Sequence, residues 1–131
     1  MPDPADGRPR HVYEYAILRV VPRVDREEFL NVGVILLSRT LRFWDARIHL
    51  DEARLLALHP SVDLAQVQAH LALIPQVMVG EGPFAKLDLA ERFRWVSAPH
   101  SATMQASAVH TGLCHDPATA LEQLFARMVG Q

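Results

Sequence analysis

The apolar positions of this chain come first in unbroken runs and then at helical spacing. Val12 to Val21 is almost entirely β-branched, aromatic or aliphatic, with Glu14 and Arg19 its only charges. One face would carry Tyr13, Tyr15, Ile17, Arg19 and Val21, the other Val12, Ala16, Leu18 and Val20. Both faces being mostly apolar predicts an interior strand over Tyr13–Val21, ended by Pro22, which has no N–H for a ladder. Val32 to Leu37 predicts a second central strand. The nine residues from Pro22 to Leu30 read as a loop or short helical turn, too long for a tight hairpin. After Ser38-Arg39-Thr40, partial alternation over Leu41 to Ile48 predicts a third strand with one wet face, in a hairpin with the second.

Helical signals follow. Asp51 can cap a short helix through Leu58, stopped before Pro60. Asp63-Leu64-Ala65-Gln66 has the form of a capping box, opening a helix with Leu64, Val67, Leu71, Ile74 and Met78 on its apolar face. Pro75 is expected to kink or shorten it. Gly80 to Pro83 breaks the chain, and Asp88 starts one more helical turn. Ala102 to His110 reads as a weak strand. Asp116-Pro117 opens a last helix with Leu121, Leu124, Phe125 and Met128 as its buried stripe and Gly130 closing it. The result is an α+β fold, a single domain with a mainly antiparallel sheet of about four strands packed by helices, in the order β-β-β-α-α-β-α. Residues 1–10, proline-rich and polar, are expected to be a disordered lead-in to one domain over 11–131.

Composition narrows the class. The chain has 131 residues, half of them hydrophobic and 21% charged, which suits one globular domain with its own core. One cysteine, Cys114, permits no internal disulfide, and no apolar leader is visible, so the expected compartment is the cytoplasm. The longest stretch without charge, Trp95 to His115, is too polar for a membrane span. A formal net charge of −2 weighs against nucleic acid as a partner without removing it. No Gly-rich phosphate loop appears, and no cofactor is expected.

Candidate chemistry gathers at the junction of the first two strands. Arg19, Glu28 and Asn31 form the primary cluster: a carboxylate beside a guanidinium and an amide would bind a polar ligand or position a water. The plainer reading is a buried Arg19–Glu28 ion pair with Asn31 hydrogen-bonding loop backbone. Tyr15, Ser101 and His110 are secondary candidates. A metal site would draw on His110, Cys114, His115 and Asp116, but adjacent Cys114 and His115 converge poorly and Asp116 is already a cap, so no metal is expected. No nucleophile elbow surrounds Ser101, Ser107 or Cys114. Arg39, Arg42, Arg47, Arg92 and Arg94, interleaved with Phe43, Trp44 and Trp95, would suit single-stranded nucleic acid only if the fold brought them together.

Several stretches together resemble one family. They are Tyr13-Glu14-Tyr15, Leu18-Arg19-Val20-Val21-Pro22, and Glu28-Phe29-Leu30-Asn31-Val32-Gly33-Val34. Ala98-Pro99-His100-Ser101, Gln105 to Gly112 and Leu121 to Phe125 continue the likeness. The chain resembles the bacterial family catalogued as domain of unknown function 3037, departing from it at His100, where the family pattern carries an arginine. The family label implies no activity. The resemblance does imply a protein partner, a HipA-like kinase, by association alone. The expected function is therefore a small non-enzymatic binding or regulatory protein acting through a protein partner. The alternative is an enzyme with Glu28 as general base supported by Arg19 and Asn31, or a nucleic-acid-binding module. Whether the chain forms a homo-oligomer stays open.

Overall fold

The structure, a computed structural model, describes residues 7–99, 101 and 103–130. Residues 1–6 of the expected lead-in, together with His100, Ala102 and Gln131, lie outside the described residues. The fold is α+β, an antiparallel sheet of five strands with four helices. The first three strands are β1 (His11–Arg23), β2 (Glu28–Ser38) and β3 (Phe43–Ile48). Helices α1 (Glu52–Leu58), α2 (Leu64–Val79) and α3 (Leu89–Ser97) follow, then β4 (Met104–Ala106), β5 (His110–Cys114) and α4 (Pro117–Met128). The sheet order is β3-β2-β1-β4, with β5 pairing β1 beyond the end of β4.

Two slips in register shape the central pair. Leu18 faces Gly33 but Arg19 faces Asn31, so Val32 is an extra residue on β2. Between the Val20–Leu30 and Arg23–Glu28 pairs the surplus moves to β1, at Val21-Pro22. Pro22 therefore does not end the strand as predicted, because it sits at a bulge where the ladder has already lost its regular spacing. Nor is the connection nine residues long. The strands pair out to Arg23 and Glu28, leaving a 3₁₀ turn, Val24–Arg26, and Glu27 at a left-handed φ of 55°. At the other end of β2 the expected hairpin with β3 is present, starting at Phe43 because Arg42 takes a left-handed φ of 53° in the turn.

The weak strand expected over Ala102–His110 is two short strands. Ser107 joins them: its Oγ accepts the Ile17 N–H at 2.9 Å and its own N–H donates to the Ile17 carbonyl at 2.8 Å. A hydroxyl thus stands in for main chain where β4 and β5 part.

Each helix is opened by a local side chain. Asp51, Asp63 and Asp116 accept the N–H groups of Arg54, Gln66 and Thr119. The reciprocal box forms at Asp88, which accepts from Glu91 N–H while the Glu91 carboxylate accepts from Asp88 N–H. This starts a full helix, α3, rather than the single turn expected. Pro75 does not shorten α2, which continues to Gly80 with the ring on its solvent face.

Two apolar layers flank the sheet. Helices α1 to α3 cover Ala16, Leu18, Val20, Leu30, Val32, Ile35 and Leu37, with Phe93 and Leu55 fully enclosed. Helix α4 lays Ala120, Leu121 and Leu124 against Ile17, Val34 and Leu36. Along β2 the residues facing α1 to α3 change from even to odd between Val32 and Ile35, which is the bulge seen from the core.

Candidate functional site

Strand periodicity and the bulge decide which side chains meet. Tyr13, Tyr15 and Ile17 point to the α4 side of the sheet, and Arg19 continues that row. Because Leu30 and Val32 point the other way, Phe29 and Asn31 also face α4. The Asn31 Nδ2 donates to the carbonyl of Met128, in the last turn of α4, at 3.1 Å. The expected bond to loop backbone is thus a bond to a helix end far away in sequence.

Arg19 and Asn31 are cross-strand neighbours, as the candidate cluster required. Glu28 is not with them. It lies three residues from Asn31 on an extended strand, hence on the opposite face, where its carboxylate pairs with Arg26 and lines a small recess with Leu58 and His59. The predicted Arg19–Glu28 contact is therefore replaced by two others. The Arg19 guanidinium carbon lies 4.2 Å from the centre of the Phe29 ring, a cation–π stack worth about 0.5–1 kcal/mol where exposed. Phe29 itself is 47% exposed. Beneath that stack, Arg19 Nε and Asn31 Oδ1 are buried, and neither has a hydrogen-bond partner among the described residues. Buried donors and acceptors left unmet are unusual in a folded interior.

The same face carries the secondary candidates Tyr15 and His110, paired across β1 and β5 with ring centres 5.3 Å apart. Tyr13 stacks beyond Tyr15 at 5.8 Å. Its ring crosses Gly112 so closely that a Cβ there would meet the phenol oxygen at 2.5 Å, so any larger residue would displace the end of the Tyr13 side chain. Burial pushes the Tyr13 phenol up from its ordinary value, with Tyr15 and Cys114 adding and Arg127 opposing. A cavity of about 280 Å³ opens beside it, towards Gln123 and Arg127 of α4. Helix α4 packs chiefly on β2 and β3; towards β1 its apolar stripe reaches Ile17, while Tyr13, Tyr15 and Arg19 stay half-buried and Phe29 is exposed.

Ser101 lies elsewhere. Its hydroxyl is 2.8 Å from that of Thr103 and accepts the Thr103 N–H, beside an apolar recess with Leu18, His70 and Trp95 on the α1 to α3 side. The basic patch is not assembled either. Arg39 pairs with Glu14, Arg47 with Glu122, and Arg92 donates to the carbonyls of Leu87 and Met78. Trp44 and Trp95 pack edge-on against Phe93 and Phe84 instead of offering stacking surfaces. Among the described residues no three His, Cys, Asp or Glu side chains gather as a metal site. No helix of the described residues is long and apolar enough to cross a membrane.

Phe29 and Tyr13 escaped the sequence reading. Phe29 shares the period of Asn31, but only the bulge shows that this period belongs to the face of Arg19.

Fold and site together define a small α+β domain whose sheet is packed by three helices on one side and by one on the other. The chain belongs to the family described as Protein of unknown function (DUF3037), whose model matches residues 15–129. No curated protein and no solved structure matches it.

Proposed function

We propose that this chain is a non-enzymatic binding or regulatory protein of the bacterial cytoplasm, and that it docks a protein partner on the β1 side of its α4 face. The observation that carries this reading is the Arg19–Phe29–Asn31 patch: an exposed aromatic ring stacked by arginine, above a buried donor and acceptor that no described residue satisfies. Aromatic and arginine side chains dominate the energetics of protein interfaces, and the exposed Phe29 ring with the Arg19 guanidinium stacked on it is the anchor a partner would cover. Tyr13, Tyr15 and His110 extend the same surface along β1. The family resemblance supplies the partner to try, a HipA-like kinase.

The test is calorimetric titration of a purified HipA-like kinase from the same organism with the wild-type chain, Phe29→Ser, Arg19→Ala and Glu28→Ala. Binding should weaken by about tenfold or more for the first two variants. Glu28→Ala, on the opposite face, should bind as wild type. Absence of binding by the wild type, or equal binding by all four, overturns the proposal.

A further inference from the structure

We propose that β5 is a pairing edge through which two copies of this chain join their sheets about a twofold axis at Gly112. This goes beyond the partner surface just described, since it concerns the sheet's edge rather than its face. The Ile17 N–H donates to the Ser107 hydroxyl, its carbonyl accepts the Ser107 N–H, and the Val21 N–H donates to the Thr103 carbonyl, so the odd residues of β1 direct their N–H and C=O groups towards β4 and β5. Tyr13 then takes up the inward groups of Gly112 and Tyr15 those of His110. The main-chain groups of Thr111 and Leu113 are left pointing outward. Their side chains are exposed too: Leu113 is 51% exposed and stands beside Val12, its cross-strand neighbour, at 54%.

Natural sheets blunt such edges with charge, proline or a covering element. The opposite edge of this sheet is treated so: the Asp45 carboxylate takes the Ala46 N–H at 2.8 Å, and Arg47 is ion-paired to α4. Strand β5, His110-Thr111-Gly112-Leu113-Cys114, contains no charged residue and no proline. Only a bulge at Ala108-Val109 interrupts the edge, and it limits an added strand to the length of β5 itself.

A second copy fits that strand in register. With the axis at Gly112, Thr111 of each copy lies opposite Leu113 of the other, so the outward residues meet one another and form about four main-chain hydrogen bonds. Gly112 then faces its twin at a position without hydrogen bonds, where antiparallel strands approach most closely. No like charges oppose each other across β5, and the exposed Leu113 side chains of the two copies lie diagonally to one another, each flanked by its own Val12. Self-complementarity of this kind is what an isologous dimer requires.

Sedimentation equilibrium over a concentration series, with amide hydrogen exchange at Thr111 and Leu113, tests the proposal. The wild type should reach twice its 14.7 kDa chain mass, and protection of those two amides should rise with concentration. Leu113→Pro removes an N–H that β1 does not use, and Leu113→Lys places a charge on the edge. Either should raise the dimer dissociation constant by about tenfold or more, with unchanged circular dichroism. The lysine variant decides the matter if the proline variant fails to fold. Val79→Lys, at an exposed apolar position on α2, should leave the dimer intact. A monomer at every concentration, or a dimer indifferent to the Leu113 variants, overturns the proposal. So does concentration-independent protection of Thr111 and Leu113, which would place another segment of the same chain on the edge.

Discussion

Adding one methyl group at Gly33 tests whether the bulge in β2 holds the arrangement of the site. A Cβ on Gly33 would lie 3.0 Å from the carbonyl oxygen of Arg47 and 3.2 Å from Cγ1 of Ile48. The side chain of Ile48 can give a little, but the carbonyl is main chain of β3, directly beside Gly33 in the ladder. It can retreat only by loosening the β2–β3 pairing. Two effects oppose each other in Gly33→Ala. Stiffening the unfolded chain favours the folded state by about 0.4–1 kcal/mol, whereas overpacking costs about 1–3 kcal/mol. Overpacking wins, and the expected net loss is about 0.5–2 kcal/mol. Urea melts followed by tryptophan fluorescence would measure it, since Trp44 sits on β3, the strand that Gly33 pairs with. Gly33→Val should lose more. An alanine variant as stable as the parent would refute the reasoning, because the slip could then move without cost.

Three further outcomes follow from the contacts described above. Glu28→Ala should cost about 1 kcal/mol or less, since its partner Arg26 is well exposed, and should be additive with Arg19→Ala. A coupling above about 0.5 kcal/mol in that double-mutant cycle would restore the direct contact. Ser107→Ala should cost about 1–3 kcal/mol by stranding the buried Ile17 N–H, and faster exchange of that amide is the specific readout. Asp116 gives a pH dependence: the Thr119 hydroxyl and N–H hold its carboxyl below the ordinary value of 3.8. The resulting stability is present above that value and is lost as pH falls through the lower folded-state value, so Asp116→Asn should flatten the loss of stability below about pH 4. Identical acid limbs for the two proteins would contradict the assignment.

Features with local causes were legible in the sequence. Asp51, Asp63, Asp88 and Asp116 announce their helices because a cap acts within three residues. The β2–β3 hairpin was legible because an apolar run, a turn and an alternating run are contiguous. What escaped has distant causes. Pro22 and the charges after it read as loop, yet the ladder continues past Pro22 to Arg23, which lies across from Glu28 on the other strand. The β4 and β5 strands are blurred by small residues, and they are strands because β1 offers both of them an edge. The site was misassigned in one part for the same reason. Counting back by twos from Val34 puts Glu28 on the face of Arg19, as an unbroken strand would. The extra residue at Val32 reverses that, carrying Glu28 away and bringing Phe29 and Asn31 in.

The thinner cover on the α4 side follows from dimensions. Strands lie about 4.8 Å apart and a helix with its side chains is about 10 Å across, so one helix covers about two strands. Three helices cover the first face of this sheet, but α4 alone lies on the second and packs chiefly on β3 and β2. The remaining width, β1 with β4 and β5, has to be closed by its own side chains. Close to α4 this succeeds, with the Tyr13 ring laid over Gly112. Farther along, where α4 has ended at Met128, Arg19 and Phe29 cover each other and leave two buried polar atoms unmet. A longer helix would reach over that end and a wider layer would hide the β5 edge. With a single twelve-residue helix in that layer, both surfaces stay available for association.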